Sequence, residues 1–336
     1  MSDDMLRETC VRLFSDLATR AAMEDAGRGE FPGAMWRAVE DAGLARPQVE
    51  EQRGGSGGTW LDAYTVLLEA GRHTLPLPLA ETIAGAWLLA QAGIDVPPGP
   101  LSVAQSGGLS AVGGRLSGEA AAVPWGADAI YVVAVAGDKV VLMANGAAEA
   151  AREANLAGEP RDTLRWKDAA TLATGTLEGA DAVTLMAMMR AAQMAGAIER
   201  VLDLSVRHVI ERSQFGRPLA ANQAVQQALA VLAGHSAAAT TAAEHAFHAM
   251  ARGGDAQFEI AAAKIRCGEA ASAATNLSHQ AHGAIGFTRE YGLQYATRRL
   301  WAWRAECGSD AYWSERLGRR IAARGIDAFW PELAAR

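Results

Sequence analysis

Two stretches of the C-terminal half carry the residues best suited to chemistry. ERSQFGRPLAANQAVQ (211–226) sets Arg212, Gln214, Phe215 and Gly216 in one short non-helical segment, with Gln223 opening the helix that follows. QAHGAIGFTREYGLQYATRR (280–299) sets the small residues Gly283, Ala284 and Gly286 just after Gln280. An arginine, an aromatic ring and a glycine at a helix start suit a phosphate and a flat heterocycle, and small residues at a helix end let backbone approach a ligand. Together they point to a bound dinucleotide.

Periodicity predicts the elements that hold these stretches. Residues 1–98 read as helices, with apolar residues at three- and four-residue spacing in LRETCVRLFSDLATRAAM and PGAMWRAVEDAGLA. GGSGG (54–58) lacks a GK[ST] ending and a preceding strand, so it reads as a helix connector rather than a phosphate cradle. PPGP (97–100) ends this region. From 99 to 178, AIYVVAVAG and DKVVLMANG are short β-branched runs bounded by glycine and aspartate, as in a small antiparallel sheet. From 179 to 336 the pattern is helical again. Helices are expected from 179 to Arg212, from Gln223 to Gly253, from about Gln257 to His282 and over roughly 293–323, forming an antiparallel bundle. The fold class is mainly α with a small β-domain between two helical parts.

Composition narrows the function classes. The chain has 336 residues, half of them apolar and only 6% aromatic, with a formal charge of −7. No basic stripe interleaved with aromatics is present, which argues against nucleic acid. Cys10, Cys267 and Cys307 match no CxxC or zinc spacing and read as reduced thiols. His245 and His248 sit three apart, but nothing nearby completes a metal set. No secretory signal or apolar run of ~20 residues is visible, so a cytoplasmic protein with no membrane partner is expected.

The two stretches, in this element order, resemble the C-terminal signatures of the acyl-CoA dehydrogenase family, and LLEAGRHTLPLPLAET is similar to its N-terminal part. The resemblance implies an N-terminal helical domain, a middle β-domain and a C-terminal four-helix bundle, with FAD bound across a subunit interface. By position, Arg212 would pair with the FAD pyrophosphate, Phe215 would pack on the adenine end beside Gly216, and Gln214 and Gln223 would hydrogen-bond nearby. Gln280, Gly283, Ala284 and Gly286 would contact adenine and phosphates of a flavin held mainly by another subunit, Ala284 standing where the family has a second glycine.

Three departures from the family pattern stand out. SVAQSGGLSAVGG (102–114) replaces the Thr-Glu-Pro and Gly-Ser-Asp elements that cradle the flavin ring and acyl-CoA, and Trp125 is the nearest match to the tryptophan that lies against the flavin. Ungapped alignment puts Cys307, Gly308 and Ser309 at the Glu-Gly-Thr of the usual catalytic base, which adds Ser309 to the expected cofactor contacts. The nearest carboxylate, Glu306, is one residue early, ~100° around a helix, and is the expected catalytic base if a local irregularity turns it inward. The other family address for a base falls near Met186, with Asp181 more than a turn away. The resemblance therefore implies flavin-dependent α,β-dehydrogenation of an acyl-CoA thioester, with electrons passing to an electron-transferring flavoprotein. It also implies a homo-oligomer or a heteromer with a longer family member sharing FAD. The alternative is a non-catalytic partner subunit.

Overall fold

The structure is a computed structural model that describes residues 3–335 apart from Phe215 and Arg289. Five helices open the chain: α1 (Asp3–Leu17), α2 (Arg20–Ala26), α3 (Gly33–Asp41), α4 (Trp60–Arg72) and α5 (Leu79–Gln91). The first apolar-periodic run is two helices rather than one, because Thr19 leaves helical geometry and accepts the Ala22 N–H at 3.2 Å as N-cap of α2. Thr59 and Asp62 form a capping box that starts α4 just after the glycine run. Residues Leu79 to Ala86 of α5 are all buried, Glu81 and Thr82 included, so this helix sits in the interior.

Eight strands follow: β1 (Leu101–Gln105), β2 (Ser110–Val112), β3 (Arg115–Pro124), β4 (Tyr131–Ala136), β5 (Lys139–Ala144), β6 (Glu149–Ala151), β7 (Arg161–Ala170) and β8 (Ala173–Thr176). They make two four-stranded sheets, ordered β1-β4-β5-β8 and β2-β3-β7-β6. The β4–β5 hairpin closes with Ala136 opposite Lys139, so Gly137 and Asp138 are its two-residue turn. One expectation is corrected here: β1 pairs with β4 in parallel register, Leu101 opposite Tyr131, so the first sheet is mixed rather than antiparallel. The period of two along its strands divides two cores. Val103, Val133, Val135 and Val140 face the helices, whereas Ala104, Val132, Ala134 and Val141 face Leu116, Leu164 and Trp166 of the second sheet.

The C-terminal part holds α6 (Ala182–Glu211), α7 (Gln223–Arg252), α8 (Gln257–His282), α9 (Leu293–Ala305), α10 (Asp310–Arg324) and α11 (Ile326–Ala334). A side chain on Gly196 of α6 would sit 1.8 Å from the Leu68 carbonyl, so α4 and α6 pack backbone to backbone. The helix expected over 293–323 is broken. Glu306 is extended, Cys307 and Gly308 take φ of +54° and +91°, and Ser309 restarts the chain as N-cap of α10. Among the described residues no helix is long and apolar enough to cross a membrane, and no group of three or more His, Cys, Asp or Glu residues is placed to hold a metal ion.

Candidate functional site

Arg212 ends α6. Its N–H bonds the His208 carbonyl at 2.9 Å, and its own carbonyl accepts from Leu219 N at 2.8 Å. Between these bonds the chain makes a small hairpin, β9 (Ser213–Gln214) against β10 (Arg217–Pro218), with Gly216 at φ +77°. Phe215, in the same turn, lies outside the described residues. Asn222 caps α7 through Ala224 N at 3.0 Å, which makes Gln223 the first helical residue. At the end of α8, Gly283 takes φ +62° and a 3₁₀ turn runs from Gly283 to Phe287.

The packing of α6 on α8 brings both segments to one end of the bundle. The His208 ring, one turn before Arg212, stacks on the His282 ring at 4.4 Å, and His282 Nε2 lies 3.1 Å from the Tyr291 hydroxyl. Arg212, Gln214, Gln223 and Gln280 are all exposed. Among the described residues, no hydrogen bond or ion pair engages their side chains. Open space surrounds the side-chain directions of Gly216 and Gly283, while Ala284 is exposed in the turn. Gly286 has a different reason to be small. It is buried, and a β-carbon there would meet His279, His282 and Leu293 atoms at 3.1 Å each. Beside the turn lies a cavity of about 790 Å³ lined by residues that include Asn276, Gln280, Gln294, Arg298 and Trp301. Phe287, 69% exposed, stacks on His279 at its edge at 4.1 Å.

Trp301 also lines a second cavity, of about 640 Å³, between the sheets and the bundle. Its wall is rich in alanine (Ala104, Ala121, Ala154, Ala302, Ala305), with Gln105, Glu153, Asn155, Arg161, Glu306 and Cys307 as its polar part. Gln105 is already used, accepting the Val183 N–H at the start of α6 at 3.0 Å. The helix break does turn Glu306 toward this cavity, but its carboxylate is held from two sides. Arg161 Nε and Nη2 donate to Oε1 and Oε2 at 2.9 Å each, Arg190 Nε donates to Oε2 at 2.9 Å, and Asn155 Nδ2 donates to Oε1 at 2.8 Å.

The charges continue inward as an alternating chain. Arg190 pairs with Glu81, and Arg161 with Glu159 at 3.1 Å; Glu159 in turn pairs with Arg299 at 2.9 Å and accepts the Trp303 indole N–H at 2.8 Å. Three carboxylates thus balance three guanidiniums. Burial works to raise the Glu306 pKa, but the Arg161 and Arg190 charges and the hydrogen bonds from Arg161 and Asn155 outweigh it and hold it at about 2. Glu306 is therefore engaged as counter-ion to Arg161 and Arg190, whereas a general base works best with a pKa near the operating pH.

The other expected contributors are also engaged elsewhere. Ser309 Oγ caps α10 through Tyr312 N at 3.3 Å and lines neither cavity. Asp181 caps α6 through Thr184 N at 3.0 Å and pairs with Arg316 at 3.3 Å. Burial pushes the Cys307 thiol up to about 11, which removes it as a thiolate. Trp125 is 5% exposed, packs edge-on against Phe31 at 5.9 Å and does not line the cavity. Among the described residues lining this cavity, the remaining carboxylate is the exposed Glu153 at its rim.

Sequence reasoning missed Glu81, Asn155, Glu159, Arg161, Arg190 and Arg299. The available signal was isolated charge inside apolar runs, as in LAETIAGAW and LMAMMRAAQM, because such charges are buried only when paired. For FAD, the bundle end fits the nucleotide half: an unengaged guanidinium and open backbone at Gly216 and Gly283 suit a pyrophosphate. The sheet–bundle cavity has room for flat and apolar groups, yet most of its polar side chains are bound to one another.

Comparison with known proteins agrees with this architecture. Residues 2–95 match the acyl-CoA dehydrogenase N-terminal domain and residues 180–322 the acyl-CoA dehydrogenase C-terminal domain. The acyl-CoA dehydrogenase IpdE2 of Mycobacterium tuberculosis is 31% identical over 88% of this chain and 89% of its own length. IpdE2 of Mycolicibacterium smegmatis is 30% identical over 88% and 91%. Among solved structures, the Tcur3481–Tcur3483 steroid ACAD variant superposes with TM-score 0.86 at 23% identity, covering 96% of this chain and 98% of that one. The ChsE4–ChsE5 complex from Mycobacterium tuberculosis gives 0.83 at 23% identity, covering 95% and 97%. The chain belongs to the acyl-CoA dehydrogenase family of FAD-dependent oxidoreductases.

Proposed function

We propose that this chain takes part in α,β-dehydrogenation of an acyl-CoA thioester as a subunit that shares FAD across an interface. In this reading it supplies the nucleotide half of the site, and a partner subunit supplies the catalytic base. One observation carries the proposal. The residues suited to FAD stand unengaged at the exposed bundle end, while the carboxylate nearest the family's base position is locked between two arginines.

Arg212 presents a planar fork of donors that matches a pyrophosphate bidentately. Gln214, Gln223 and Gln280 add amide donors and acceptors around it, and Gly283 lets the backbone come close. The alanine-lined cavity keeps water from an apolar acyl group. FAD held there would supply a hydride acceptor for the substrate's β-carbon. The α-proton needs a base, and Glu306, ionised from about pH 2 upward, holds protons too weakly to take that role well. An electron-transferring flavoprotein would be the electron acceptor of the complex.

The fold relatives include one named as a complex, ChsE4–ChsE5, and one under a double designation, Tcur3481–Tcur3483, which supports a heteromer. A second reading, a subunit with no catalytic residue of its own, is favoured by the same arginine clamp. The test is to purify the chain alone and co-expressed with a longer family member, record the visible spectrum and add acyl-CoA. A yellow complex bleached by substrate, beside a colourless or unbleached chain alone, is the expected result. A homo-oligomer of this chain that bleaches unaided would overturn the assignment of the base to a partner.

A further inference from the structure

The break between α9 and α10 presents Glu306 and Cys307 to the sheet–bundle cavity, and side chains from other elements hold its carbonyls. Lys264 of α8 is fully buried, yet its Nζ donates to the Arg304 carbonyl at 2.9 Å and to the Gly308 carbonyl at 2.8 Å. These two oxygens flank the turn. The third, on Cys307, accepts the Trp313 indole N–H at 2.9 Å. Lys264 therefore satisfies carbonyls that the interrupted helix leaves without a partner, and places a cation at the C-terminal end of α9 where the helix dipole favours one. Burial lowers its pKa to about 8, so it carries its proton at neutral pH.

The turn needs such support. Cys307 is a non-glycine residue at φ +54°, a conformation that costs about 1–3 kcal/mol unless its surroundings impose it. Gly308 is confined as well, since a β-carbon there would lie 2.4 Å from the Tyr312 ring and 2.7 Å from Trp313 Nε1. A buried lysine with no carboxylate partner is expensive, and here its donors go to main-chain oxygens on either side of one strained turn.

We infer that Lys264 is a positioning residue that clamps residues 304–308 and so fixes the wall of the acyl-CoA cavity. The role rests on the functional reading only for the cavity's use; the geometry is independent of it. The test therefore avoids flavin and turnover. The full chain, in its complex if it has one, is treated with N-ethylmaleimide at pH 7, and the labelling rate of each cysteine is read by peptide mass. Cys10 and Cys267 are both fully buried, Cys10 in the distant N-terminal helices, whereas Cys307 lines the cavity.

Lys264→Met should raise the Cys307 rate about tenfold, the scale of one lost hydrogen bond, with Cys10 unchanged, and Lys264→Arg should bring the rate back toward wild type. Equal acceleration at Cys10 and Cys307 would mean general loosening and would overturn the role, as would an unchanged Cys307 rate or no recovery with arginine. If Lys264→Met does not fold, Trp313→Phe removes the third anchor of the same turn. Selective exposure of Cys307 in that variant supports the clamp, and its absence counts against it.

Discussion

The bundle end and the charged cluster behind the sheet–bundle cavity are both rich in polar side chains, but they use them in opposite ways. At the bundle end, Arg212 and three glutamines are exposed and no partner within the described chain engages them. In that cluster, Glu306 and Arg161 of the cavity wall and Glu81, Glu159, Arg190 and Arg299 behind it close on one another. Solvated, unengaged donors cost the fold little and remain available to a ligand. A buried, mutually satisfied network is a structural commitment, and removing one member leaves another charge stranded. Function should therefore follow the first region, and stability the second.

The largest effect that could break this contrast is on folding. Arg190→Met strands Glu81 and removes one of the two guanidiniums on Glu306, and should cost about 3–5 kcal/mol in urea unfolding; a loss below about 1 kcal/mol would mean the network is not structural. Glu306→Gln sharpens the contrast through pH. The folded Glu306 pKa, about 2, lies below the ordinary carboxylate value of 4.5. Its stabilisation is therefore complete above the unfolded pKa and is lost as pH falls from there toward 2. Acid unfolding of Glu306→Gln should lack that slope. In an active complex this variant should lower kcat less than about tenfold, against the ~10²–10⁴ expected for loss of a general base.

Much of the architecture was legible in the sequence, because apolar periodicity changes from helical to alternating and back, and Gly137–Asp138 marks the β4–β5 turn. What could not be read came from non-local contacts. The parallel pairing of β1 with β4 joins residues thirty apart, Leu101 with Tyr131, and nothing within either strand announces it. The last bundle helix reads as continuous through Cys307 because its break is held by Lys264 and Trp313, whose reach is visible only once the helices pack.

The candidate site divides in the same way. Arg212, Gln214, Gln223 and Gln280 belong to short local motifs and are exposed at one end of the bundle. Glu306 lines the cavity wall, but what holds its carboxylate, Arg161 and Arg190, lies 145 and 116 residues away. Gly286 shows a further case, a motif residue whose smallness is required by packing against His279, His282 and Leu293.

The most direct test of the account is FAD retention by the purified complex of this chain with its longer partner, read as flavin absorbance per complex for wild type and Arg212→Met. Losing a charge-assisted contact to the pyrophosphate should cost about 1.5–3 kcal/mol, a roughly 10–100-fold weaker affinity, with thermal unfolding of the flavin-free complex unchanged because Arg212 has no role in the core. Wild-type flavin content and affinity in Arg212→Met would contradict the claim that this bundle end holds the nucleotide.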